Sequence, residues 1–185
     1  MSNEIVVGIS GASGVQYGVR LLEVLRNRAE THLIISENAK LILKIETEYE
    51  LEDVLRLASH VHAPDDLTAV IASGSYQFDA AVIAPCSMKT LGSIANGISS
   101  TLITRIGDIC LKEGRKLILV PRETPLSLVH MENMVKIKRA GAIVMPACPS
   151  FYSKPKTTSD IIDIIVGRIL DLLGMENDLS GRWNP

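Results

Sequence analysis

An arginine and a carboxylate stand side by side at Arg122 and Glu123, fenced by Pro121 and Pro125, where the apolar run Lys116–Val120 stops. Alone, such a pair suits an exposed turn with solvated charges. The second group with chemical potential is a glycine series, Gly8, Gly11 and Gly14, within the stretch Ser10-Gly11-Ala12-Ser13-Gly14. Its G-x-x-G-x-x-G spacing is not the G-x-G-x-x-G dinucleotide fingerprint. It suits a tight strand-to-helix turn, and equally a backbone that a ligand approaches closely, with the next helix offering free N–H groups to a phosphate. Ser36 ends the second apolar run, where a nicotinamide-binding protein places an acid for the ribose, although Glu37 is adjacent.

Ser87 has the character of a helix N-cap, followed by Met88, Lys89 and Thr90 in the first turn. Capping accounts for the serine. It does not account for Lys89, because a cation at a helix N-terminus is disfavoured by roughly 0.3–1 kcal/mol, and a bound anion offsets that. Arg168 lies on a helical stripe with Ile161, Ile165 and Leu172. An arginine there snorkels, pairs at a subunit interface, or aims at an anion. Cys86 reads as a small buried residue, with no histidine close in sequence to activate it. His32, His60, His62 and His130 form no ligand set with the cysteines, and a structural or surface role is expected for them.

The elements that must position these residues are legible from hydrophobic pattern. Short, nearly continuous Val/Ile-rich runs occur at Glu4–Ile9, His32–Ile35, Ala80–Ala84, Lys116–Val120 and Ala142–Met145. Strands buried on both faces have this pattern. Helical spacing fills Val15–Arg28, Thr101–Glu113, Ser127–Ala140 and Ser159–Leu173. Alternation of the two predicts an α/β protein with a doubly wound, mostly parallel sheet in three layers, of Rossmann-like or flavodoxin-like type. Residues 46–77 are the least regular, with one helix at Leu51–Ala58, a turn at Pro64-Asp65-Asp66, and a mobile loop near Ser73-Gly74-Ser75. Ligands of open α/β sheets bind beyond the carboxyl ends of the strands, and the unusual residues collect there.

Composition excludes several classes. The 185 residues are 46% hydrophobic, as one folded domain spanning 1–185 requires. A net charge of −2 without a basic run gives no electrostatic footprint for nucleic acid or a membrane surface. No run approaches the roughly 20 apolar residues of a membrane span, and the N-terminus does not read as a signal peptide. Three widely spaced cysteines, Cys86, Cys110 and Cys148, indicate neither a zinc site nor a disulfide framework, so the cytoplasm is the expected compartment.

From Ile5 to Trp183 the chain resembles the flavin prenyltransferase family, formerly described as aromatic-acid decarboxylases. The motifs that carry the resemblance, in order, are GISGASGVQYGVRLLEVL, ISENA, APCSMKTLGSIANG, LVPRETPLSLVHMENM, MPACPSFYSKPKT and VGRILDLLG. The resemblance implies a Rossmann-like flavoprotein that assembles into a homo-oligomer, typically a dodecamer. It implies transfer of a dimethylallyl group from dimethylallyl monophosphate to N5 and C6 of reduced FMN, without a metal. The prenylated FMN then serves a separate partner decarboxylase. Carried over by motif, Gly11, Ala12, Ser13, Ser36, Ser87, Met88, Lys89, Thr90 and Arg122 contact FMN. Tyr152 and Arg168 hold the dimethylallyl phosphate, with Arg105 and Lys112 near it. The resemblance further implies Glu123 as the acid/base residue, with Ser13 and Lys112 sharing the catalytic work.

At Leu67–Val70 the chain lacks a tryptophan that some members place near the active site. The chain's only tryptophan lies in the tail SGRWNP, which with the apolar last helix is expected to make contacts between chains. Two other readings use the same fold: an FMN-dependent decarboxylase of cysteine-containing substrates, and a flavin carrier without catalysis. The first needs an early catalytic histidine, where this chain has Ser10–Ser13 and Gln16; the second has no use for Glu123 and Arg168. Direct decarboxylation of an aromatic acid, the family's older description, is a third.

Overall fold

The computed structural model describes residues 3–179, so the tail motif with the tryptophan lies outside the described residues. Six strands form one parallel sheet: β1 (Asn3–Ile9), β2 (Ala29–Ile35), β3 (His60–His62), β4 (Ala80–Cys86), β5 (Lys116–Pro121) and β6 (Ile143–Val144). Their order is β3-β2-β1-β4-β5-β6, every neighbouring pair parallel. The helices are α1 (Gln16–Leu25), α2 (Glu37–Glu46), α3 (Leu51–Leu55), α4 (Met88–Ala95), α5 (Leu102–Lys112), α6 (Leu128–Arg139) and α7 (Thr158–Leu173).

Strand alternation sorts the side chains into two cores. Ile5, Val7 and Ile9 of β1 pack with Val19, Leu22 and Leu25 of α1 and with Ile165, Val166 and Ile169 of α7. Val6, on the other face, packs with Leu91 and Ile94 of α4, with Ile106 and Ile109 of α5, and with Ile137 of α6. This is the three-layer doubly wound sheet that the unbroken Val/Ile runs predict. Each fully buried Leu or Ile contributes about 1.5–3 kcal/mol, so two dense cores suffice to hold so parallel a sheet. Among the described residues, no helix is long and apolar enough to cross a membrane.

The differences from the sequence pattern have physical causes. β3 falls within the supposedly irregular 46–77 segment, because a three-residue strand His-Val-His carries no apolar signature. Its pairing with β2 comes from tertiary contact. β2 starts at Ala29 rather than His32, and α1 ends at Leu25 rather than Arg28, with Asn27 in the left-handed region (φ 64°) between them. β6 shrinks to two residues, yet its line continues as hydrogen bonds from Met145 N to Leu119 O (2.9 Å) and from Ala147 N to Pro121 O (3.0 Å). The Ser73–Ser75 loop is pinned rather than loose. Arg115 donates to Tyr76 O (2.7 Å) and Gly74 O (2.6 Å) and lies over the Phe78 ring.

The apolar stripe of α7 is spent inside the chain, with Ile164–Leu170 buried except Arg168. Exposed apolar residues sit elsewhere, among them Leu41 and Ile45 on α2 and Leu128, Val129 and Val135 on α6.

Gly18 marks where α1 crosses the sheet most closely. A Cβ there would run into the Ala84 carbonyl oxygen and lie 2.6 Å from Ile9 Cγ1. Gly18→Ala is therefore expected to destabilise the fold by about 1–3 kcal/mol, the cost of overpacking a dense core, seen as a lower denaturant midpoint. A midpoint equal to that of the parent protein would show that α1 is free to shift.

Candidate functional site

Between β1 and β4 the winding of the sheet reverses, and a crevice opens beyond their carboxyl ends, as the doubly wound topology requires. The two strand ends are tied by one buried side chain. Ser10 Oγ donates to Pro85 O (2.9 Å) and accepts from Ser87 N (2.8 Å), while Ser10 N donates to the same Pro85 carbonyl (3.2 Å). This fixes the glycine loop after β1 against the start of α4.

The crevice is a cavity of about 560 Å³. Gly11, Ser36, Ser87, Lys89 and Thr90 line it, joined by Asn38, Pro64, Asp65 and the α5 start at Ser100–Thr101. Gly11 is required by close approach, because a Cβ there would stand 2.6 Å from Asn38 Cβ. Three helix starts open onto this space. Ser36 caps α2 by accepting from Ala39 N (3.2 Å), Ser87 caps α4 by accepting from Thr90 N (3.2 Å), and Thr101 forms a capping box with Thr104 on α5. Their remaining N–H groups and positive dipole ends favour an anion. Lys89 stands in the first turn of α4 with no ion pair among the described residues. A phosphate-bearing ligand with hydroxyl groups fits this lining of cation, N–H groups and serine and threonine hydroxyls.

Ala12 and Ser13 continue the loop past Gly11, and Met88 is partly buried against the α4–α5 core. Arg122 reaches the loop from the other side, its Nε donating to Ser13 O (3.2 Å). Glu123 does not pair with Arg122; its carboxylate accepts from Thr124 N (2.9 Å) and is exposed. Ala12, Ser13, Met88, Arg122 and Glu123 adjoin the lining rather than form it, and four further residues also lie outside the cavity of the single chain. Arg105 donates to Ala72 O (3.1 Å) and to Asp108 (3.0 Å). Lys112 Nζ lies 3.5 Å from Glu113. Arg168 pairs with Asp171 (2.7 Å), with its side chain 57% exposed. Tyr152 is exposed beside Phe151.

Sequence reasoning missed Glu46. It ends α2, the helix terminus a carboxylate does not favour, and its Oε2 accepts from Gly14 N (2.8 Å). An acid at that end was the available signal, just as a cation at the wrong end marked Lys89. Gly14 needs its φ of +97°, so the loop geometry and its carboxylate partner are specified together. Tyr17, beside this loop, has its phenol pKa raised, mainly by burial, with Arg122 opposing and Cys148 and Glu46 adding to the rise. The Cys86 thiol is wholly buried, and its pKa is pushed far up by desolvation; that of Cys110 is pushed up to about 12. Neither is a nucleophile at neutral pH. Asn38, Asp65, Ser93 and Thr101 fall in stretches the sequence marks as motif, turn or helix start, but only the fold brings them to one rim.

The Flavoprotein family model matches residues 1–170, which defines the class that the parallel sheet and its switch-point cavity suggest. Flavin prenyltransferase UbiX of Methanocaldococcus jannaschii is 54% identical over 180 residues, covering 97% of this chain and 98% of that protein. The chain belongs to the flavin prenyltransferase family. Among solved structures, AnUbiX (PadA1) in complex with FMN and dimethylallyl pyrophosphate superposes with a TM-score of 0.98 at 44% identity, covering 100% of this chain and 99% of that one. A dodecameric FMN-dependent UbiX-like decarboxylase from Escherichia coli O157:H7 gives a TM-score of 0.96 at 45% identity, covering 98% and 100%.

Replacing Ser10 by Ala removes both hydroxyl bonds and leaves the Ser87 N–H without its partner. The expected loss is about 1–3 kcal/mol of folding stability, measured as a shift in the denaturant midpoint. An unchanged midpoint would show that the strand ends hold together without the bridge.

Proposed function

We propose that this chain joins a dimethylallyl group from dimethylallyl monophosphate to N5 and C6 of reduced FMN, making prenylated FMN for a partner decarboxylase. The observation that carries this reading is the cavity at the β1/β4 switch point, walled by a glycine loop, three capped helix starts and Lys89, which has no ion pair among the described residues. Gly11, Ala12, Ser13, Ser36, Ser87, Met88, Lys89, Thr90 and Arg122 hold the flavin. When bound, reduced FMN supplies the nucleophilic ring that receives the prenyl group.

Tyr152, Arg168, Arg105 and Lys112 take the donor phosphate. They are cationic and phenolic rather than carboxylate groups, which suits a monophosphate held directly, and an arginine's planar fork matches two phosphate oxygens. Because these side chains lie outside the cavity of one chain, the reading places the complete site where copies meet in a homo-oligomer, a dodecamer by analogy with its structural neighbour. The exposed apolar residues of α2 and α6 provide surface for such contacts. Glu123, beside the flavin-anchoring Arg122, holds the proton that the departing phosphate needs and later accepts the one lost from C6. Ser13 and Lys112 assist. Two buried thiols and the lack of any disulfide among the described residues fit a reducing cytoplasm.

Anaerobic incubation with reduced FMN and dimethylallyl monophosphate should raise the flavin mass by one prenyl unit, with the pyrophosphate a poorer donor. Unmodified flavin under saturating conditions would overturn the reading. Glu123→Gln, measured at saturating reduced FMN, should lower the rate by about 10²–10⁴-fold while both ligands still bind. Near-normal turnover would assign Glu123 to structure. Arg168→Ala should weaken donor binding by about 1.5–3 kcal/mol and leave FMN affinity nearly unchanged. Dissociation of the oligomer by light scattering, with FMN binding lost, would make Arg168 an interface residue instead.

A further inference from the structure

Three of the four histidines meet on the edge of the sheet, away from the residues assigned to chemistry. The His32 ring stacks on His60 (4.6 Å between centroids) and on His62 (5.2 Å). His32 is only 3% exposed. Its Nε2 faces Glu4 Oε1 at 2.9 Å, with the Tyr76 hydroxyl at 3.5 Å, and its Nδ1 faces His62 Nε2 at 2.9 Å. His60 Nε2 faces Glu30 Oε1 at 2.7 Å. The charged and titratable groups around the stack are therefore Glu4 from β1, Glu30 from β2, Tyr76 from the following loop, and Asp66 near His62.

The carboxylate at His32 Nε2 fixes the tautomer: the proton sits there, and the bare Nδ1 accepts from His62 Nε2–H. One added proton can be absorbed, since His62 can shift its hydrogen and accept from a charged His32 beside Glu4. A second cannot, because two donors would then face each other at 2.9 Å and two cations would stack.

This bond is one of few that hold β3. The strand has three residues and pairs with β2 at His32–His60, Leu33–Val61 and Ile34–His62. Directly after it come Pro64 and Asp65, which line the cavity, and Pro64 O accepts from Leu102 N (2.8 Å) at the start of α5. That wall is thus held by His62 on one side and by α5 on the other.

We propose that the His32–His60–His62 stack is an acid-sensitive latch that holds the Pro64–Asp65 wall of the flavin cavity and releases it when a second proton enters. The flavin arm rests on the FMN reading of the cavity. Burial lowers the pKa of His32, and burial with the neighbouring histidines lowers that of His62. His32 and His62 therefore bind protons more weakly in the latch than free imidazoles do. The latch is intact above the free imidazole value, about pH 6.5, and weakens as pH falls below it.

The test follows the full oligomer from pH 8 to 5.5 in two arms: FMN titration, and hydrogen-exchange protection of residues 60–65, each compared with His62→Gln. Glutamine keeps an N–H donor for His32 Nδ1 and cannot take a proton. In the parent protein, FMN affinity and protection of 60–65 should fall together, by about tenfold per pH unit for each extra proton bound in the released state. The variant should lose most of this slope. The phosphate of FMN titrates in both proteins and cancels in the comparison. Equal slopes in parent and variant, or constant protection of 60–65 while affinity falls, overturn the latch. Protection lost with FMN affinity unchanged overturns its coupling to the cavity. Failure of FMN to bind at pH 7.5 removes the flavin reading alone, and the exchange arm still decides the latch. Should the variant not fold, the exchange profile of the parent protein decides it.

Discussion

The site depends on one hydroxyl group. Ser10 is buried where β1 ends, and its bonds to Pro85 O and Ser87 N join the two strands at which the winding of the sheet changes direction. A doubly wound sheet leaves a gap at that point because the connecting helices depart to opposite faces. The bridge sets the width of the gap. It places the Gly11 backbone on one lip and the α4 N-terminus on the other, and the remaining lining follows from what packs against those two.

Charge placement around the gap repeats a single device. Lys89 sits at the start of a helix and Glu46 at the end of another, each at the terminus its charge does not favour. Isolated helices would gain from the opposite arrangement. Glu46 is compensated by the Gly14 N–H, so its helix and the glycine loop hold each other. Lys89 has no such partner among the described residues, and it faces the cavity. A carboxylate compensated within the chain and a cation left for a ligand are the electrostatic form expected of a pocket for an anionic cofactor.

The division between one chain and several also has a physical basis. The cavity wall is built from strand ends and helix starts, which a single fold can fix to within fractions of an ångström. Arg168 and Tyr152 lie outside that cavity, and Arg168 is held by an exposed pair with Asp171 of a kind worth little in water. Such a pair is readily exchanged for a phosphate. The helices α2 and α6 meanwhile expose apolar residues that the core does not use.

The sequence by itself determined five of the six strands, most of the helices and the family. Continuous Val/Ile runs admit only strands buried on both faces, and the ordered motifs from GISGASG to VGRILDLLG specify one kind of flavoprotein. Ser36, Ser87 and Lys89 were legible because capping and dipole rules act over three or four residues. β3 was not legible, since three polar-flanked residues have no periodicity, and neither was α2, read only as the loop at its start. The histidine stack, the Glu46–Gly14 bond and the Asn38–Pro64–Asp65 rim were decided by the tertiary structure alone. Each joins segments far apart in the chain, and their meeting depends on sheet register and helix direction, which no local pattern of side chains encodes.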